Sequence, residues 1–260
     1  MTKIAFIGMG NMAQALCSGF AKSKKIEPAQ MFAYAPNQEK LAQNAGKLGF
    51  VPCKSLKEAI SSADTVILAC KPYQIEEVLG EIKDDLKNKA LLSIALGWNF
   101  KKFREHTDKS TRIQFIMPNT PAMVGEGVFL FEKSNSLNED ERKNFIDLFA
   151  SMGCVEELPD NLMGIGGAVS GCGPAFVDLF IEAYADAAVK YGIPRKTAYK
   201  LVSQTVLGTA KLQLATGEHP GVLKDNVCSP AGSTIRGVTA LEEYGLRNAC
   251  IKSIDSIMKS

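Results

Sequence analysis

The stretch Lys3-Ile4-Ala5-Phe6-Ile7-Gly8-Met9-Gly10-Asn11-Met12-Ala13 decides how the chain is read. A short strand-forming run over residues 3–7 passes straight into a glycine turn. Apolar residues then recur at Met12, Leu16 and Phe20 with helical spacing. Strand, Gly-x-Gly-x-x-Ala and helix in that order open a dinucleotide-binding βαβ unit. The first glycine permits the tight turn, the second lets a pyrophosphate approach the backbone, and the small third residue lets helix pack on strand. The helix start adds free N–H groups and the positive end of its dipole. Gly8, Gly10, Asn11 and Met12 are therefore candidate cofactor-binding residues.

Outward from this unit, strands are predicted over residues 31–35, 64–70, 91–95, 113–117, 127–131 and 154–158, with helices after residue 37 and over 75–86 and 139–151. The apolar run Thr65-Val66-Ile67-Leu68-Ala69-Cys70 is of the kind buried on both faces in a parallel sheet. The alternation predicts an α/β fold with a Rossmann-like, doubly wound parallel sheet over residues 1–159. After Pro159 the strand patterns stop and residues 160–260 read as helical. Phe176, Leu179, Phe180, Ala183 and Ala187 form one apolar stripe; Ala198, Leu201, Val202, Thr205, Thr209 and Leu212 form another. Residues 195–215 are apolar or small on almost every side, a surface best covered by a second copy of the chain. The expectation is an all-helical dimerisation domain and a homodimer.

With 30 Lys plus Arg against 28 Asp plus Glu, the net charge of +2 provides no field for nucleic acid or an anionic membrane. No run of 18 apolar residues appears, and the apolar N-terminal run is too short for a signal peptide. The seven cysteines are odd in number, widely spaced and without a CxxC pair, so neither a disulfide framework nor a zinc site is expected. Buried, reduced thiols in a cytoplasmic protein, with no metal, are the expectation.

The second strand ends in Tyr34-Ala35-Pro36-Asn37, with no carboxylate to repel a ribose 2′-phosphate; Glu27 precedes the strand and is rejected for that role. Ala35 and Asn37 are assigned to the adenosine end of the cofactor, and NADP(H) is favoured with NAD(H) accommodated. Ligands of open α/β sheets bind outside the carboxyl ends of strands. Those ends carry Lys71 and Pro72, Ala95, and Met117-Pro118-Asn119-Thr120-Pro121. Pro118, Asn119 and Thr120 could face a nicotinamide carboxamide or form an ordinary proline-rich turn, and Lys71 could equally be a solvated lysine. In Ser229-Pro230-Ala231-Gly232-Ser233-Thr234, helix capping and a carboxylate site explain the residues equally well. The two histidines, His106 and His219, form no acid-base signature, and His219 before Pro220 reads as a loop or capping residue. A dinucleotide enzyme can dispense with such signatures because hydride comes from the cofactor.

These residues, together with Ser170-Gly171-Cys172-Gly173-Pro174-Ala175-Phe176 and His219-Pro220, resemble pyrroline-5-carboxylate reductases along essentially the whole chain. The resemblance implies hydride delivery from NAD(P)H to the C=N carbon of Δ1-pyrroline-5-carboxylate, giving L-proline. It implies that the Thr234 hydroxyl bonds the ring nitrogen while Ser229, Gly232, Ser233 and Thr234 hold the carboxylate, with Asn226 near the cofactor. It also implies interlocked dimers, often assembled as a decamer of five dimers. Four departures stand out: Ala231 for the usual Gly, Ser233 for Thr, Phe115 for an Arg, and Asp160-Asn161 for a longer acidic run. Ala231 is expected to avoid any backbone angle reserved for glycine.

Two other readings are weighed. A reductase of another cyclic imino acid, or of a β-hydroxy acid, shares the layout; the second needs a helix-borne lysine near the domain junction, and Lys190 stands at the far end of its helix. A catalytically silent dinucleotide sensor would bind cofactor without turnover.

Overall fold

The structure is a computed structural model that describes residues 2–259. Its sheet has the order β3-β2-β1-β4-β5-β6-β7-β8. The strands are β1 (Ile4–Ile7), β2 (Met31–Tyr34), β3 (Val51–Pro52), β4 (Thr65–Leu68), β5 (Ala90–Ser93), β6 (Arg112–Pro118), β7 (Gly127–Asn135) and β8 (Gly153–Leu158). The helices of this part are α1 (Asn11–Lys22), α2 (Gln38–Leu48), α3 (Leu56–Ser61), α4 (Ile75–Ile82), α5 (Phe100–His106), α6 (Glu139–Ala150) and α7 (Met163–Ser170).

Every strand of the run from β3 to β6 pairs parallel, as expected for crossover helices. The expectation of a wholly parallel sheet needs one correction, because β7 pairs antiparallel with β6. Residues 119–126 join them through a 3-10 turn at Thr120–Val124, and such a connection is too short for a parallel crossover. β8 then pairs parallel with β7 after the α6 crossover.

β1 and β4 are buried at every position, which fits their unbroken apolar sequences. One face of the sheet packs Ile4, Phe6, Ile67 and Ile116 with Leu16 and Phe20 of α1 and Phe145 and Phe149 of α6. The other packs Ala5, Ile7, Val66 and Leu68 with Ile60 of α3, Leu79 of α4 and Phe103 of α5. Helices thus cover both faces. Side-chain caps start four of them: Asn37 accepts from the Lys40 amide, Ser55 from Glu58, Asn99 from Lys102, and Asn138 from Glu141 within a capping box.

The chain divides into compact units at 1–171 and 172–260, beyond the boundary at residue 160 read from the sequence. The intervening segment clings to the sheet: Met163 of α7 packs with Phe115 and Leu130, and the Ser170 carbonyl accepts from Asn119 Nδ2 at 3.0 Å. Phe115, standing where the resembled family has Arg, contributes apolar packing there and is buried.

The second unit contains α8 (Gly173–Lys190), α9 (Arg195–Thr216), α10 (Pro220–Asp225), α11 (Ser233–Glu243) and α12 (Leu246–Met258). Among its described residues only Ala185 and Ala198 are buried. Leu201, Leu207, Leu212 and Leu214 of α9, Leu179 of α8 and Ile251 of α12 are all exposed in the single chain. Residues 160–190 are long and apolar enough, by length and composition, to pass for a membrane span. The stretch is interrupted at Gly171–Cys172 and carries Asp178, Glu182 and Asp186. The cysteines also need a correction: all seven are free, but only Cys17 and Cys53 are buried, whereas Cys154, Cys172 and Cys250 are exposed.

Candidate functional site

The carboxyl ends of β1, β2, β4, β5 and β6 bring most of the predicted cofactor residues to one edge of the sheet. Gly8 leaves β1 with φ of +97°, and its amide donates to the Tyr34 carbonyl at 2.8 Å. A Cβ at this position would lie 2.7 Å from the Ala69 carbonyl oxygen, so both the turn and the approach of β4 require glycine. Gly10 precedes α1 in extended conformation, and a Cβ there would meet nothing within 4 Å. No side chain caps α1, and its first turn holds no acidic residue. The amides at Asn11 and Met12 therefore begin an uncapped helix beside open space, the arrangement that accepts a phosphate. Ala13 is buried, as close packing of this helix on β1 demands.

At the end of β2, the Asn37 carboxamide oxygen accepts from the Lys40 amide at 2.9 Å, so that oxygen serves as the cap of α2. Gln38 Nε2 donates to the Ala35 carbonyl at 2.8 Å and steadies the same loop. The loop contains no carboxylate; Glu39 lies in the first turn of α2 and is exposed.

Past β4, Cys70 is partly buried, and burial pushes its thiol pKa up to about 11. That burial favours the thiol over the thiolate. Lys71 and Pro72 follow in an exposed position, with the Lys71 amide donating to Gln74 Oε1 at 3.2 Å. Ala95, past β5, is buried.

The Pro118-Asn119-Thr120 turn follows at the end of β6. Asn119 is 5% exposed; its Oδ1 accepts from the Val128 amide at 2.8 Å while Nδ2 donates to Ser170. The side chain is a brace between β7 and α7, and Thr120 is the exposed polar member of the pair.

In the helical unit, His219 caps α10, its Nδ1 accepting from the Gly221 amide at 3.0 Å. Asn226 follows α10 and is exposed. The Ser229–Pro230 pair does not start a helix: α11 begins at Ser233, after Gly232. The Gly232 amide donates to the Ser229 carbonyl at 3.0 Å, and a Cβ at Gly232 would collide with the Ser229 hydroxyl. No side chain caps α11, no acid stands in its first turn, and Ser229, Ser233 and Thr234 are exposed. A fold of Ser229 over an uncapped helix start presents hydroxyls and amides in one place, which suits a carboxylate. Ala231 departs from expectation. It adopts φ of +58°, in the left-handed region, and its carbonyl accepts from Arg236 Nη1 at 3.2 Å.

Sequence reasoning did not find Trp98 or Glu132. Trp98 is buried, and its indole Nε1 donates to the Pro72 carbonyl at 3.1 Å. Glu132 is also buried; its Oε2 accepts from the Phe100 amide at 2.7 Å, and burial raises its pKa. The signal for the first was a lone tryptophan directly after a glycine at a strand end; Glu132 lies in an apolar strand and gave none. A separate cavity of about 600 Å³ opens at the other ends of the strands, by Asp64, Arg112 and Glu141, and contains none of the predicted residues. Arg112 is engaged there by both Glu141 oxygens. Among the described residues no three His, Cys, Asp or Glu side chains gather as a metal site.

Residues 160–260 match the family model for pyrroline-5-carboxylate reductase dimerisation, and residues 3–97 match that for NADP oxidoreductase, coenzyme F420-dependent. The pyrroline-5-carboxylate reductase of Treponema pallidum is 39% identical, over 99% of both chains. The chain belongs to the pyrroline-5-carboxylate reductase family. The Escherichia coli member is 38% identical over 99% of this chain and 96% of its own. The crystal structure of Plasmodium falciparum pyrroline carboxylate reductase with NADP bound superposes with a TM-score of 0.89 at 33% identity, covering 99% and 96% of the two chains. A Mycobacterium tuberculosis 3-hydroxyisobutyrate dehydrogenase, at 15% identity and a TM-score of 0.51, shares the fold alone. Membership of the pyrroline-5-carboxylate reductase family therefore rests on both units.

Proposed function

We propose that this protein reduces the C=N bond of Δ1-pyrroline-5-carboxylate to give L-proline, with NADP(H) preferred and NAD(H) usable. The observation that carries the reading is the likeness to named reductases over 99% of the chain. The reduced nicotinamide, when bound, supplies the hydride. The amides following Gly8 and Gly10, at Asn11 and Met12, hold the pyrophosphate. Ala35 and Asn37 border the adenosine end, where no carboxylate opposes a 2′-phosphate. Lys71, Pro72, Ala95, Pro118 and Thr120 border the nicotinamide half, with Asn119 bracing the turn, and Asn226 is assigned to the cofactor on the family resemblance alone.

Ser229 and the amides from Gly232 through Thr234, with the Ser233 hydroxyl, hold the substrate carboxylate. The Thr234 hydroxyl, the catalytic group, bonds the ring nitrogen and fixes the imine carbon for attack. The contribution is orientation and charge stabilisation. The exposed apolar faces of α8 and α9 support a homodimer, with a decamer of five dimers as the larger assembly. Free thiols throughout support a cytoplasmic location.

Purified protein given Δ1-pyrroline-5-carboxylate is expected to oxidise NADPH faster than NADH, and to favour the five-membered ring over the six-membered imino acid. Cofactor binding with no turnover of either ring would replace the reading by that of a silent dinucleotide sensor.

A further inference from the structure

One side chain links the two loops that carry Lys71, Pro72 and Ala95. Trp98, the chain's single tryptophan, is 3% exposed. Its amide donates to the Ala95 carbonyl at 3.2 Å, closing residues 95–98 into a turn around Gly97, whose φ is +82°. Its indole N–H crosses to the neighbouring loop and donates to Pro72 at 3.1 Å. The ring is wedged against Phe103 and His106, with centroids at 5.0 and 5.3 Å, and Lys102 Nζ lies 4.2 Å from its centroid. Two residues on, the Phe100 amide is held by Glu132 of β7. The turn is thus anchored to the loop after β4 at one side and to the sheet at the other, while Leu96 at its tip is 66% exposed.

We propose that Trp98 is a positioning residue for the cofactor: its hydrogen bond makes the loops after β4 and β5 one body and sets the width of the nicotinamide half of the crevice. The inference rests on the cofactor placement proposed above. Without the tether, each loop has to be ordered by the cofactor itself, and that ordering is subtracted from binding. The adenosine half is held by other strands and does not depend on the tether.

The test is calorimetric titration of the full-length protein and of Trp98→Phe, which keeps a packed ring and loses the donor, with NADPH and with 2′,5′-ADP, which lacks the nicotinamide. NADPH affinity is expected to weaken about 5-fold, the size of one net hydrogen bond, while 2′,5′-ADP affinity and the imine KM hold. Phe103→Leu, which loosens the same packing and spares the hydrogen bond, is expected to lower Tm and leave NADPH affinity unchanged. Equal NADPH affinity in Trp98→Phe and the parent, or equal weakening of both ligands, overturns the role. Failure of the parent protein to bind NADPH overturns the cofactor placement itself.

Exchange of the indole N–H in the parent protein provides a check that needs no variant to fold. It is expected to slow with NADPH and to hold with 2′,5′-ADP. A rate equal in the free protein and both complexes overturns the role.

Discussion

The sheet unit and the helical unit use apolar residues in opposite ways. In the first, β1 and β4 are covered on both faces by helices of the same chain, and Phe6, Phe20, Phe129 and Phe149 are sealed from solvent. In the second, helices of 18 and 22 residues leave nearly all their leucines uncovered, with Ala185 and Ala198 alone buried. The residue types are similar; what differs is whether one chain contains both surfaces of a contact. The sheet unit completes its own core, whereas the helical unit leaves most of its apolar surface uncovered.

The strongest way to break this contrast is to place charge on the uncovered face. Leu201→Asp combined with Leu212→Asp is expected to abolish the dimer and turnover while NADPH binding by the sheet unit persists. Sedimentation and cofactor titration of the same preparation check it, and a dimeric double variant would show that α9 faces elsewhere.

Next in size is Thr234→Ala, for which kcat/KM is expected to fall by roughly 10² to 10³, as when one oriented donor is lost, with NADPH affinity held. Normal steady-state turnover by that variant would reduce Thr234 to a residue of a helix start.

Ala231→Gly relieves the left-handed backbone angle and is expected to stabilise the protein by about 1 kcal/mol. Thermal melts measure this, and an unchanged or lower Tm would mean that the loop already absorbs the strain.

The smallest effect sharpens the sheet side. Burial raises the Glu132 pKa, so the folded state favours its acid form. That contribution is complete below the ordinary glutamate range and is lost as pH rises through the raised value. Glu132→Gln, which still offers an acceptor to the Phe100 amide, is expected to flatten the decline of Tm across that window. Parallel Tm-against-pH curves for the two proteins would place the titration elsewhere.

Much of this was legible in the sequence because it depends on neighbours along the chain. The glycine turn, the apolar strand at Thr65–Leu68 and the helical stripes after Pro159 are local patterns. The antiparallel β7 was hidden because its run looks like any strand; only the shortness of residues 119–126 distinguishes it. β3 has two residues, one of them proline, and gives no periodic signal.

At the site, Gly8 could be read because its turn and the approach of the neighbouring strand admit only glycine, whereas Gly10 was read from its place between strand and helix and the Ser229–Thr234 block from the family resemblance. Asn119 was a candidate for the nicotinamide side, and its partners within the chain, Val128 and Ser170, could not be foreseen because they come from two other elements. Ala231 was expected to avoid the left-handed region because a single sequence gives no measure of how much strain a loop tolerates. Trp98 and Glu132 escaped notice for the same reason as Asn119: their partners are remote in sequence.

The lone tryptophan also gives the molecule a spectroscopic asymmetry. Emission from Trp98 reports on the sheet unit only, and four of the six tyrosines, Tyr184, Tyr191, Tyr199 and Tyr244, lie in the helical unit. Selective excitation of tryptophan therefore follows the sheet unit alone in an unlabelled sample, while far-ultraviolet dichroism reads the helices of both units together.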